Sequence, residues 1–248
     1  MSRRLRWFSA GAASAVATKL DLTTYGADAG PVYYLDTRSE HDDNARFIHE
    51  CEGWFGVKVE VHGSEKYRDV DDVIAKTGYI AGPYGARCTV ELKKKVRYRL
   101  EEPGDVQVFG YTADRRDAAR AVRFREQNPG VELCCPLIDR GLTKQDCLAI
   151  IERAGIEVPA LYKLGLSNNN CLGCVKAQGA HYWATIRTHF PDVFATRIDQ
   201  ERTHNIGIRG QGLWLDELPD DVSDLPADPD FDCGLMCHIA ENEIEADR

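Results

Sequence analysis

Two cysteines separated by two residues, Cys171 and Cys174, stand at the end of a polar turn that begins at Ser167 and runs through three asparagines. That gap lets both sulfurs face one metal ion or one iron–sulfur cluster. Zinc ordinarily takes four ligands, and the chain has no second Cys-x-x-Cys. Cys233 and Cys237, followed by His238, form a looser group that can supply the missing ones. A different chemistry is written near the N-terminus, where Ser9, Gly11 and Ser14 make a Ser-x-Gly-x-x-Ser turn leading into a helix. Small side chains let backbone amides approach an anion, and a helix start adds free N–H groups and a partial positive charge. The same turn also serves simply to pack a helix closely on a strand. Arg115 and Arg116 fall in the first turn of another predicted helix, where the helix dipole disfavours cations by about 0.3–1 kcal/mol each. A bound phosphate or sulfate offsets that cost, which makes the pair anion-ligand candidates. Arg120, Arg123 and Arg125 read as a solvated face of that helix.

These side chains need elements to hold them. Strand candidates at 4–8, 32–35, 57–61, 106–110 and 131–135 alternate with helical stretches at 14–22, 42–53, 114–127 and 143–154. That order implies an α/β fold with a doubly wound, mostly parallel, five-stranded sheet. Ligands of such sheets bind beyond the carboxyl ends of the strands, at the point where strand order reverses. The loops after Phe8, Leu35 and Gly110 are therefore expected to carry a site. The last of these helices has a start signal, with Thr143 and Asp146 as a capping box and Leu142 and Cys147 as its hydrophobic staple.

The chain has 248 residues, 43% of them hydrophobic, which excludes a disordered or collagen-like protein. No apolar run approaches the roughly 18 residues that cross a bilayer, so a soluble protein with no membrane partner is expected. Arginines precede small residues at the N-terminus, yet the continuous leucine-rich core of a secretory leader is missing. Nine cysteines are an odd number in a chain too large to need stapling, which points to a reducing cytoplasm and to metal or redox use. The net charge of −9 is uneven: residues 215–248 hold twelve acidic side chains against one basic, leaving residues 1–214 mildly positive. The expected organisation is one domain over 1–214 and an acidic, solvated, partly irregular C-terminal tail over 215–248, with Pro219, Pro226 and Pro229. A basic body leaves room for a nucleotide or polynucleotide partner. The run Lys93, Lys94, Lys95, Arg97 and Arg99 reads either as a strip for such a partner or as a solvated helix face.

The turn from Ser9 to Ser14 resembles the PP-loop of the adenine nucleotide α-hydrolase superfamily. Ala10 and Ala13 replace a Gly and the Asp of its ATP-splitting members. Absence of that Asp favours the sulfonucleotide reductase branch. Leu35, Asp36 and Thr37, followed by Glu40 and His41, resemble the segment after the second strand of PAPS reductases, with Arg38 where Gly is usual. The resemblance implies that Asp36 and Thr37 lie near the adenine nucleotide, whereas the residues alone read equally as a cap on the next helix. The stretch 109–116 resembles one that clamps phosphate or sulfate. Residues 86–97 resemble the cysteine-containing segment before a Lys-rich helix in iron–sulfur APS reductases. Cys88 precedes Cys171 by 83 residues, close to that family's spacing, and Thr89 takes the place of a second cysteine. Residues 136–139, 158–165 and 171–174 follow the family's order, so the likeness covers most of residues 5–190.

The resemblance thus implies a PP-loop, HUP-like enzyme of the iron–sulfur PAPS reductase-like kind, with a [4Fe–4S] cluster on Cys88, Cys171 and Cys174. Three thiolates leave one iron open unless Cys233, Cys237 or another group completes the set. The nucleotide would be PAPS, APS or ATP, with Mg if it is ATP. The leading activity is an oxidoreductase reaction, sulfonucleotide reduction. In it Cys233, within a stretch similar to the Glu-Cys-Gly-Leu-His tail of such reductases, attacks the sulfate sulfur, and a thiol donor such as thioredoxin releases sulfite. One alternative is an ATP-dependent iron–sulfur sulfurtransferase that thiolates RNA, DNA or another acceptor; another is a zinc-stabilised nucleotide-binding module. Cys51, Cys134, Cys135, Cys147, Trp183 and Phe190 read as packing, and His181, His189 and His204 lack partners at ligand spacing.

Overall fold

The computed structural model describes residues 2–82, 85–210 and 212–226. The described residues divide into two compact units, one drawn from 1–36, 42–62 and 97–163, the other from 37–41, 63–96 and the chain after 163.

The first unit holds strands β1 (Arg4–Trp7), β2 (Val32–Asp36) and β3 (Val59–Gly63), with helices α1 (Ala12–Tyr25) and α2 (Asp43–Phe55) between them. In the second unit follow α3 (Val70–Thr77), β4 (Ala81–Gly82), β5 (Gly85–Ala86) and a π-helical turn, Thr89–Lys94. After α4 (Lys95–Leu100) the first unit resumes with β6 (Val106–Val108), α5 (Arg115–Gln127), β7 (Glu132–Cys134), α6 (Lys144–Arg153) and α7 (Ala160–Lys163). The second unit ends with α8 (Ala180–His189) and α9 (Pro191–His204).

The sheet is five-stranded in the order β3-β2-β1-β6-β7, with β1 parallel to both β2 and β6 and β6 parallel to β7. The expected α/β, doubly wound arrangement is therefore present, and the order reverses at β1, between β2 and β6. All four residues of β1 are buried, as a strand covered on both faces requires. Its even-numbered side chains face α1: Arg4 and Arg6 both bond the Asp21 carboxylate, at 2.8 Å from each Nε, and all three residues are buried. Sharing one carboxylate between two guanidiniums is how this strand keeps two arginines out of water. Beyond them Phe8 joins Val16, Phe47, Cys51, Leu137, Cys147 and Ile151 in a core under α1, α2 and α6. The capping box of α6 is formed in both directions by Thr143 and Asp146.

In the second unit Trp183 is fully buried, ring to ring with Tyr182 at 5.2 Å and Phe194 at 6.3 Å, as helix packing predicts. Lys94 and Arg97 are buried, so the basic run is neither a continuous strip nor a solvated face; the π-helical turn rotates Lys94 inward. In the first unit Arg120 is also buried, paired with Asp117 at 2.8 Å and lying over the Tyr111 ring, because it sits on the core side of α5. Among the described residues no helix is long and apolar enough to cross a membrane.

Candidate functional site

The first unit presents the anion turn at the reversal point of its sheet. Gly11, not a serine, caps α1, so the helix starts at Ala12 and Ser14 falls inside its first turn. The Ser14 Oγ accepts the Ser9 N–H at 3.0 Å, donates to the Gly11 carbonyl at 2.9 Å and lies 3.1 Å from the Ser9 Oγ. Ser14 thus braces the turn from below, while Ser9 faces solvent. Ala10 carries φ +55°, the left-handed conformation that glycine adopts more readily. Gly110, directly after β6, comes so close to α1 that a Cβ there would stand 2.7 Å from the Ser14 backbone. Tyr162 of α7 reaches back to the turn, its hydroxyl accepting the Ala12 N–H at 3.4 Å. The Ser-x-Gly-x-x-Ser spacing announced the turn, but neither Gly110 as its packing partner nor Tyr162 carried a signal of its contact, since both depend on distant elements.

Arg115 and Arg116 begin α5 and are exposed. Two carboxylates flank them, Asp114 accepting the Lys144 N–H at 2.9 Å and Asp117 accepting the Thr112 N–H at 3.1 Å. These carboxylates near the helix start offset part of the dipole cost that the arginines raise. Asp36 ends β2, half-buried.

The second unit brings the three candidate ligand cysteines together. Cys88, Cys171 and Cys174 line one pocket, with Thr37, Lys93, Gly173 and Arg197 also in its wall. Cys171 and Cys174 are buried and Cys88 half-buried. Among the described residues no three His, Cys, Asp or Glu side chains form a closed metal shell, so the thiols share a cavity without being drawn onto one point. Thr37 belongs with this pocket: its Oγ1 lies 3.1 Å from the Cys171 Sγ and donates to the Glu40 carboxylate at 2.7 Å. It does not cap α2, whose N-cap Asp42 makes no side-chain capping bond. Cys88 is the residue before the π-helical turn, a geometry often found at functional positions.

The Cys171–Cys174 turn is pinned from behind. Tyr182, buried, accepts the Cys174 N–H at 2.8 Å and donates to the Cys171 carbonyl at 3.4 Å. Burial pushes its hydroxyl well above the usual tyrosine range, so it stays protonated and can donate. Tyr182 carried no readable signal of this role, nor Arg197 and Lys93 of lining the pocket, because such placements depend on how distant helices pack. The other cysteines are set apart electrostatically. Burial raises Cys51, Cys135 and Cys147 to about 12, which leaves neutral thiols at physiological pH and agrees with packing roles. Cys233 and Cys237 lie outside the described residues.

The phosphoadenosine phosphosulfate reductase domain family matches residues 5–180. No curated protein matches the chain. Among solved structures, the U34-tRNA thiolase NcsA from Methanococcus maripaludis, with its [4Fe-4S] cluster, is similar at 11% identity and a TM-score of 0.43, covering 82% of this chain and 72% of that one.

Proposed function

The chain belongs to the phosphoadenosine phosphosulfate reductase domain family, and from that premise we propose that it carries out adenine-nucleotide-dependent sulfur transfer with a [4Fe–4S] cluster held by Cys88, Cys171 and Cys174. The observation that carries this reading is that Cys88, 83 residues before Cys171, shares one pocket with the Cys171–Cys174 pair. The donor set fits such a group: thiolates are the usual ligands of iron–sulfur clusters, and the pinned Cys-x-x-Cys turn presents two of them. When bound by three thiolates, a four-iron cluster supplies one iron free of protein sulfur, open to a sulfur ligand.

The remaining roles fall to this chain's own groups. The amides of the Ser9–Gly11–Ser14 turn receive a phosphate, Asp36 stands beside the nucleotide, and Arg115 or Arg116 counters its anionic end. Thr37 orients Cys171. With ATP as the nucleotide, an acceptor oxygen takes the adenylyl group as pyrophosphate leaves. Sulfur from hydrosulfide then displaces that oxygen, which departs with AMP. Ala13 supplies no carboxylate for Mg, so any Mg in this scheme is held by the phosphates and other groups. The acceptor we favour is a nucleic acid.

Sulfonucleotide reduction is the competing activity, and its mark is dependence on Cys233 as the nucleophile. Anaerobic reconstitution should give a brown protein absorbing near 400 nm, and Cys88→Ala or Cys171→Ala should lose most of its iron and acid-labile sulfide. AMP formation from ATP that requires RNA or DNA and survives Cys233→Ser supports sulfur transfer. Sulfite release from PAPS or APS that vanishes in Cys233→Ser would replace it with the reductase. Stoichiometric zinc in a colourless protein would sink both.

A further inference from the structure

We propose that Arg197, held against Asp71, is a positioning residue that sets the charge felt inside the thiol pocket; this rests on the reading of that pocket as a cluster site. Arg197 comes from α9, beyond the family-matched residues, and lines the cavity with Cys88, Cys171 and Cys174. Its side chain is only 3% exposed. The Nε–H donates to the Gly173 carbonyl at 2.8 Å, inside the Cys-x-x-Cys turn. Nη1 donates to the Gln200 Oε1 at 2.9 Å and to the Asp71 carboxylate, which Gln200 Nε2 also reaches at 3.0 Å. The fit is mutual, because Gly173 has φ +58° and a Cβ there would meet Val193 Cγ1 at 2.6 Å and Arg197 Nε at 3.3 Å. A single guanidinium therefore fixes the turn and places a permanent cation in the wall.

The balance of charge follows from exposure. A guanidinium does not lose its proton in a protein, so this cation persists at any working pH. Asp71 compensates it incompletely, since its side chain is 46% exposed and water weakens its field. The unscreened remainder acts toward the pocket, where the effective dielectric is lower than in water. A nearby cation favours the more negative, reduced state of whatever the thiolates hold, one of the recognised ways a protein tunes such a centre. Removing the guanidinium should therefore make reduction harder, and removing the carboxylate should make it easier.

The test uses the reconstituted full-length protein and its variants R197Q, R197K and D71N, measuring midpoint potential by redox titration and occupancy by iron and acid-labile sulfide. R197Q should titrate at a more negative potential than wild type and D71N at a more positive one. R197K should stay near the wild-type potential with reduced occupancy, because an ammonium cannot reproduce the fork. Shifts of the same sign in R197Q and D71N, or none in either, overturn the proposal and leave the cluster reading intact. Should R197Q fail to fold, the positive shift in D71N, a half-exposed position, is required on its own. A wild-type protein that takes up no iron or sulfide removes the cluster reading, and the proposal with it.

Discussion

Ala10 and Arg38 each take a left-handed backbone, φ +55° and +54°, at positions where the resembling family has glycine. The turn geometry has been kept while the residue that adopts it most easily has been lost, and a side chain in that region costs on the order of 1–2 kcal/mol. Arg38 offers the cleaner test, being exposed; its Nη1 donates to the exposed Arg68 carbonyl at 3.1 Å. Arg38→Gly should be more stable than Arg38→Ala by about 1 kcal/mol, since both lose the side chain and only one loses the strain. Equal urea midpoints for the two would show that φ is not strained there. At this scale the sequence was most readable where residue type dictates environment. Cys51 and Cys147 were expected as packing and are buried with thiols pushed up to about 12. Arg4 and Arg6 were unreadable as buried residues, because the compensating carboxylate, Asp21, lies on another element.

The five strands of the main sheet and the helices α1, α2, α5 and α6 were legible from hydrophobic period and turn residues, with ends displaced by up to three residues. The start of α1 moved from Ser14 to Ala12 because Gly11 serves as the cap, which leaves Ser14 inside the first turn as a brace. The π-helical turn after Cys88 escaped reading, since an i→i+5 turn has no hydrophobic period of its own, and the inward turn of Lys94 escaped with it. The contact between the end of β6 and the start of α1 is where element packing meets the anion turn. Gly110→Ala would force backbone apart, since its Cβ would stand 2.7 Å from the Ser14 N and Cα atoms. We expect a loss of about 1–3 kcal/mol, the usual cost of overpacking, together with loss of AMP binding by calorimetry. Undiminished AMP affinity in a folded Gly110→Ala protein would show that the turn does not hold the phosphate.

Charge divides the molecule unevenly, but structure does not follow the charge boundary at 214. Leu215 and Leu218 are buried, and Glu201, itself buried and raised above the usual carboxylate range by desolvation, accepts the Leu215 N–H at 2.8 Å. Arg202 pairs with Asp216 and Glu217 and lies over the Trp214 ring. The beginning of the acidic segment is thus packed against α9, a placement that composition alone hides because acidic residues surround the two leucines. A chain ending at 214 should lose roughly 2–4 kcal/mol, from two exposed apolar side chains' worth of contacts and a Glu201 carboxylate short of one donor. A chain ending at 226 keeps Leu215 and Leu218 and lacks Cys233 and Cys237. If three thiolates suffice, this shorter chain keeps its iron and acid-labile sulfide after reconstitution and still forms AMP with a nucleic-acid acceptor. Loss of iron on truncation at 226, with stability unchanged, would instead place a cysteine of the removed segment in the ligand set and leave no iron open for sulfur.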